Sequence, residues 1–175
     1  MFLAPADTIP EQYKGTPIGD LMEYHNFGRP FDVYPDAKVL IGMCMDNRKQ
    51  LRIPDQFAFV LRAGGANLQQ TEFKVSYVIA LRGIKHVALI AHTECRMVNL
   101  LSRKDDFIKG MMENAAWTKE RATEYFDKYA PLFDITNETE FVFNESKRFK
   151  EKYPGIEVSP FLYKMDDGKL YPIME

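Results

Sequence analysis

The 175 residues contain only two cysteines and three histidines, and one of each falls in the run His92-Thr93-Glu94-Cys95. The other cysteine opens a second run, in which Cys44, Asp46 and Arg48 alternate at period two. Two thiolates and one imidazole make a zinc set that leaves the fourth tetrahedral position open, whereas structural zinc sites fill all four corners with protein ligands. No third cysteine is available to close the set, and His25 and His86 stand away from the motif. Cys44, His92 and Cys95 are therefore the candidate metal ligands and Zn2+ the candidate cofactor, with the fourth position left to water, Asp46 or a ligand. A pair of inert buried thiols, or a disulfide formed once metal is lost, are the alternatives; scarce residues placed together argue for metal.

Asp46 and Arg48 are the candidate catalytic residues. Two thiolates offset the formal charge of zinc, so water beside them is acidified less than it would be beside three neutral imidazoles. A neighbouring group must help. Asp46 can accept the proton of that water, while Arg48 keeps the carboxylate ionised through a bidentate pair and holds it off the metal. The simpler alternative is a structural salt bridge just past a strand. His25 reads as a surface histidine and His86 as a packed one.

These side chains need strand ends to bring them together. Lys38 to Cys44, Phe57 to Leu61 and His86 to Ala91 are apolar runs of strand length, suited to strands covered on both faces. An extended backbone past the first strand would aim Cys44, Asp46 and Arg48 to one side. His92 would close the third strand, with Cys95 at the mouth of the next helix. Thr71 to Leu81 carries Phe73, Tyr77 and Leu81 at helical intervals, and Gly83 follows in a C-cap position. Strand, strand, helix, strand is the pattern of a parallel sheet with right-handed crossovers, whose ligands bind outside the carboxyl ends of the strands.

Before this unit, Thr16-Pro17 opens a short helix that Gly28 ends. After it, residues 96 to 152 read as helical, broken at Pro131 and restarted by a capping box at Asn137 to Glu140. Ile156 to Met165 is a strand, Asp166-Asp-Gly-Lys169 a turn, and Leu170 to Ile173 a short return. The expected fold is α/β: one domain over residues 1–175, with a mainly parallel sheet of about four to five strands flanked by helices and an N-terminal arm and helix over 1–35.

Composition narrows the functions. Lys plus Arg (23) nearly balances Asp plus Glu (25), for a net charge of −2 with no basic stripe, which argues against nucleic acid as a partner. The apolar runs fall well short of a bilayer span, and the first residues lack a basic segment ahead of an apolar stretch, so a cytoplasmic protein with no membrane partner is expected. Arg62-Ala-Gly-Gly-Ala-Asn67 lacks the lysine of a phosphate loop and reads as a tight turn beside the metal site.

In order along the chain, Cys44-Met-Asp46-Asn-Arg48, Phe59-Val-Leu-Arg62-Ala-Gly-Gly65, Gly83-Ile-Lys-His-Val and His92-Thr-Glu-Cys95 resemble the motif series of the β-class carbonic anhydrases. The likeness runs from about Lys38 to Met97 and resumes over Pro154 to Ile173. It implies zinc on Cys44, His92 and Cys95, an Asp46–Arg48 pair beside the metal-bound water, and reversible hydration of carbon dioxide to bicarbonate. It also implies a homodimer or higher assembly, in which the N-terminal helix reaches over the partner. A related hydrolase of carbon disulfide or carbonyl sulfide, or a non-catalytic protein binding zinc and an anion, are the alternatives. Two positions and one spacing depart from the family pattern. Arg96 replaces the usual glycine after the second cysteine, where it would capture an anion, compete with Arg48 for Asp46, or point to solvent. Ala63 replaces an asparagine, and only eight residues separate Arg48 from Phe57.

Overall fold

A computed structural model describes all 175 residues. Six strands form one sheet in the order β1-β6-β5-β4-β2-β3. At its centre β2 (Val39–Cys44), β4 (His86–His92) and β5 (Glu157–Tyr163) run parallel, with β3 (Ala58–Ala63) parallel to β2 at one edge. On the other side β6 (Leu170–Met174) and β1 (Phe2–Leu3) are antiparallel.

Six strands exceed the four to five expected. The addition is β1, two residues of the N-terminal arm that pair Phe2 with Met174 and Leu3 with Ile173 and cover the edge that β6 would otherwise expose. A two-residue strand has no periodicity to read.

Alternation along the central strands feeds two apolar layers. On one face Ile41, Met43, Ala88, Ile90 and Phe161 meet Ile18, Leu21, Met22 and Tyr24 of α1 (Pro17–Asn26). That helix starts as expected, with Pro17 first and the Thr16 hydroxyl accepting from the Gly19 N–H at 3.3 Å. On the opposite face Leu40, Val87, Leu89, Val158 and Leu162 meet Val75 and Val78 of α2 (Glu72–Arg82) and Val142 and Phe149 of α5 (Glu138–Lys152). Each Val, Leu, Ile, Met or Phe among them contributes roughly 1.5–3 kcal/mol on burial. Gly42 in β2 lets this layer close, because a Cβ there would lie 2.7 Å from Leu68 Cδ1 and 2.9 Å from Leu89 Cδ2.

One expectation fails at the β3 edge, and one question that the sequence left open is answered there. β3 is not covered on both faces: it borders only β2, and Val60 is exposed. The stripe Phe73, Tyr77, Leu81 on α2 also faces solvent, at 81%, 51% and 66% exposure, while Val75 and Val78 do the packing. Helical spacing marks a face without saying which way it points. The C-cap holds, with Gly83 left-handed at φ +65°.

Beyond β4 the chain does not enter a helix directly. Residues 93–99 turn, Val98 bridges to Ile135, and a 3-10 turn (Leu100–Arg103) precedes α3 (Lys104–Ala115). α4 (Lys119–Tyr129) and a 3-10 turn holding Pro131 (Ala130–Leu132) follow. Asn137 caps α5 by accepting from the Glu140 N–H at 2.9 Å. An ionic latch then joins α5 to α2: Glu72 takes Arg148 at 3.0 Å and Lys152 at 2.9 Å, and Arg148 also pairs with Glu145. No helix is long and apolar enough to cross a membrane.

Candidate metal centre

Because β2 and β4 are parallel neighbours, their carboxyl ends deliver Cys44 and His92 to the same place. Cys95 joins them from the turn after β4. The two sulfurs and the imidazole nitrogen all lie within 4.8 Å of one another, and all three residues are buried. The Sγ atoms are 4.0 Å apart. Tetrahedral zinc with Zn–S bonds of about 2.3 Å would separate its sulfurs by roughly 3.8 Å. His92 Nδ1 lies 2.9 Å from the Thr93 carbonyl, so its proton is donated there and the Nε2 lone pair is free. That Nε2 is the one buried side-chain nitrogen or oxygen in the molecule without a hydrogen-bond partner. An orphaned imidazole nitrogen facing two thiols is what a zinc ligand set leaves when the ion is absent, and the residues fit the metal.

Neighbouring groups fix the donors. The Gly65 N–H points at Cys44 Sγ from 3.3 Å, and the Cys95 N–H donates to Glu138 Oε1 at 3.1 Å. Gly65 is left-handed at φ +63°, and a Cβ there would crowd Ile135 Cδ1 at 3.2 Å and Met97 Cβ at 3.3 Å. The glycine-rich turn is thus the tight turn expected, and it supplies a donor to sulfur. The contact with Cys95 pushes the Cys44 thiol down, with smaller help from His92 and from the Asp46 and Gly65 N–H groups, and the same contact together with burial pushes Cys95 up.

Asp46 and Arg48 do pair, by a different route from the one expected. The backbone leaves its extended course after Cys44, and the Arg48 N–H turns back to Asp46 Oδ1 at 2.9 Å. Its guanidinium then grips both carboxylate oxygens, with Nε 3.1 Å from each and Nη2 2.8 Å from Oδ2. A short Asx-type turn, rather than period-two alternation, makes the pair. The Arg48 hydrogen bonds hold the Asp46 carboxyl well below the usual carboxylate range. Arg48 also donates to the Glu94 carbonyl at 3.2 Å and carboxylate at 3.1 Å, so it ties the loop after β2 to the turn after β4. Glu94 accepts from a left-handed backbone at φ +61°.

The departures from the family pattern resolve simply. Arg96 is exposed, with no ion pair or hydrogen bond, so of its three expected roles it takes the solvent-facing one. Ala63 ends β3 opposite Cys44, and its carbonyl accepts from the Met45 N–H at 3.1 Å. His86 lies at the far end of β4. His25 is no free surface residue: Nε2 donates to the Gly168 carbonyl at 2.9 Å, and Nδ1 accepts from the Arg52 N–H at 3.0 Å.

Sequence reasoning missed Lys49, Glu94 and Glu138. Lys49 is fully buried, and its Nζ lies 3.3 Å from the Cys44 carbonyl, on which Arg62 also converges at 3.1 Å. Burial pushes the Lys49 ammonium down, and the negative charge of Cys44 and Asp46 opposes that shift. A lysine in a polar turn carries no sequence signal of burial. Glu94 lay inside a motif already noticed, and only its fold-dependent contact with Arg48 gives it a role.

No family model and no curated protein matches the chain by sequence. Solved structures do match. A carbonic anhydrase from Glaciozyma antarctica is 21% identical at a TM-score of 0.65, covering 95% of this chain and 100% of that one. The β-carbonic anhydrase isoform I of Trichomonas vaginalis is 16% identical at a TM-score of 0.67, covering 85% of this chain and 90% of that one. The apo form of a carbon disulfide hydrolase is 15% identical at a TM-score of 0.55, covering 77% of each chain. At such identities the likeness is one of backbone architecture, and the architecture of this chain is the β-carbonic anhydrase fold.

Proposed function

We propose that this chain is a zinc enzyme that reversibly hydrates carbon dioxide to bicarbonate, with Cys44, His92 and Cys95 as metal ligands and Asp46 and Arg48 as catalytic residues. The observation that carries the reading is the arrangement of three converging donors beside a carboxylate already committed to an arginine. Zinc, when bound, supplies a Lewis acid that makes water nucleophilic near neutral pH. The protein supplies the rest. Asp46 stays ionised and offers an acceptor oxygen for the proton of the attacking water. Arg48 holds Asp46 off the metal and is itself held by Glu94. The Gly65 N–H draws charge from the Cys44 sulfur and so offsets the weak acidification expected of a two-thiolate site.

The test is stopped-flow hydration by zinc-loaded protein across pH. A rate no higher than that of a Cys95→Ala control would reject the reading. The structural likeness to a carbon disulfide hydrolase supports a second reading, attack on carbon disulfide or carbonyl sulfide by the same residues, and sulfide release measured on the same preparation separates the two. The exposed position of Arg96 weighs against a non-catalytic anion-holding role for it.

We further propose a homodimer or higher assembly. Val60 at the β3 edge and Phe73, Tyr77 and Leu81 on α2 leave apolar surface exposed on adjacent elements, and exposed apolar surface of this kind is a common mark of an interface.

A further inference from the structure

Between the metal centre and the α3–α4 pair lies a groove of about 530 Å³. Met45, Gly64 and Met97 line the side toward the metal centre, and each is within two residues of a group that shapes it: Cys44, Gly65 and Cys95. Its wall is aromatic, built from Phe107 of α3 and Tyr125, Phe126 and Tyr129 of α4. We propose that this groove is a binding site for a neutral, mainly apolar small molecule much larger than carbon dioxide. The assignment goes beyond the hydration reading and needs neither bound metal nor turnover.

Four observations support it. The volume lies within the roughly 300–1,000 Å³ of small-molecule sites, so a three-atom substrate would leave most of it empty. Ten of the twelve lining residues are hydrophobic and none is charged; Gln70 is the one amide among them. A charged ligand would lose its hydration there and gain no opposite charge, whereas an apolar body with one hydrogen-bonding group would be matched. The wall is already packed, with Phe107 and Phe126 ring centroids 5.1 Å apart and Tyr125 and Tyr129 4.5 Å apart, so little ordering remains to be done on binding. Finally, Met45, Tyr125 and Leu132 leave apolar surface in water around a concavity, and an apolar ligand would cover it. The apolar stripe assigned to self-association is on α2, which contributes no residue to this groove.

The single tryptophan, Trp117, packs 5.2 Å from the Tyr125 ring and is a built-in energy donor. The experiment titrates the zinc-loaded full chain with the neutral fluorophore N-phenyl-1-naphthylamine, reading emission sensitised through Trp117. Saturable binding of one probe per chain is expected. Ala130→Phe, which fills the groove, and Leu132→Asp, which puts a charge on its exposed rim, should each weaken binding about tenfold or more, roughly 1.4 kcal/mol. Leu132 is surface-exposed, so Leu132→Asp carries the test even if Ala130→Phe fails to fold. The anionic analogue 8-anilinonaphthalene-1-sulfonate should bind at least about tenfold more weakly than the neutral probe. Non-saturable binding, wild-type affinity in both variants, equal affinity for the anionic probe, or loss of binding as sedimentation shows the chain self-associating would overturn the assignment. Arg48→Ala should leave probe affinity unchanged, which separates failure of this site from failure of the hydration reading.

Discussion

Two regions of the molecule invert the usual rule of burial, in opposite senses. At the carboxyl ends of β2 and β4, polar and reactive groups are buried: Lys49 fully, His92 at 1% exposure and both cysteines beside them. At the β3–α2 edge, large apolar groups are exposed, with Phe73 at 81% and Leu81 at 66%. The first inversion costs desolvation and is offset inside the chain by the Cys44 carbonyl for Lys49 and by Arg48 for Asp46, which leaves only His92 Nε2 for the proposed metal to satisfy. Nothing within the chain offsets the second. An internally compensated inversion points to a site, and an uncompensated one to a surface awaiting a partner.

The largest effect should come from breaking the first region at its metal. Cys95→Ala should lose stoichiometric zinc by elemental analysis, because a three-ligand set has none to spare. Chelating zinc from the wild type should lower unfolding stability by about 4 kcal/mol relative to protein held with free zinc a thousandfold above its Kd. Full zinc occupancy in Cys95→Ala would remove Cys95 from the ligand set.

Arg48→Ala keeps the three donors and frees Asp46 to move toward the metal. Hydration should fall roughly a hundredfold or more while zinc content and fold persist. A variant that keeps both its zinc and its rate would refute the Asp46–Arg48 mechanism. Arg96→Gly is the matched control, since an exposed and unpaired arginine should leave rate and stability nearly unchanged, within about 0.5 kcal/mol for the latter.

The second region is broken by Phe73→Ser with Leu81→Ser. Sedimentation should show self-association weakened by about 2 kcal/mol or more, a change in Kd of roughly thirtyfold. Monomer stability should barely move, because these side chains are mostly exposed. If the wild type is already monomeric at micromolar concentration, the α2 stripe is not an interface.

The smallest effect sharpens the comparison on the inner side of the same helix. Glu72 lies between Arg148 and Lys152, whose hydrogen bonds pull its pKa below the ordinary value even though burial, the largest single influence, raises it. A carboxyl depressed in the folded state stabilises the fold above the unfolded-state pKa of about 4.3 and loses that contribution as pH falls through the folded value. Glu72→Gln should therefore cost about 1 kcal/mol at neutral pH, with the difference from wild type shrinking on acidification in denaturant titrations. A difference that stays constant from pH 7 to pH 3 would show that the latch acts through packing alone.

Much of this was legible in the sequence, and the reasons are local. β2 and β4 declare themselves by unbroken apolar runs, because a strand covered on both faces has no polar positions. Thr16, Asn137 and Gly83 mark helix ends through capping hydrogen bonds and a left-handed backbone, which depend on a few neighbouring residues. The candidate ligands Cys44, His92 and Cys95 could be named because zinc chemistry restricts the donor types and the chain holds few of them.

What the sequence left open depended on long-range packing. It marked the Phe73, Tyr77, Leu81 stripe but not its direction, since only the crossover from β3 to β4 decides which side of α2 meets the sheet. It offered Asp46 and Arg48 as an alternating pair, while the structure joins them through a turn and anchors Arg48 to Glu94 across the gap between two strand ends. The arm strand β1 exists because Phe2 and Leu3 find edge partners in Met174 and Ile173 of β6, at the far end of the chain. Lys49 is buried because the tertiary fold places the Cys44 carbonyl and two negative groups around it. Local patterns determine which elements form and which donors are available, because both follow from neighbouring residues. The orientation of a face, the burial of a charge and the second partner of Arg48 were decided only when distant segments packed together.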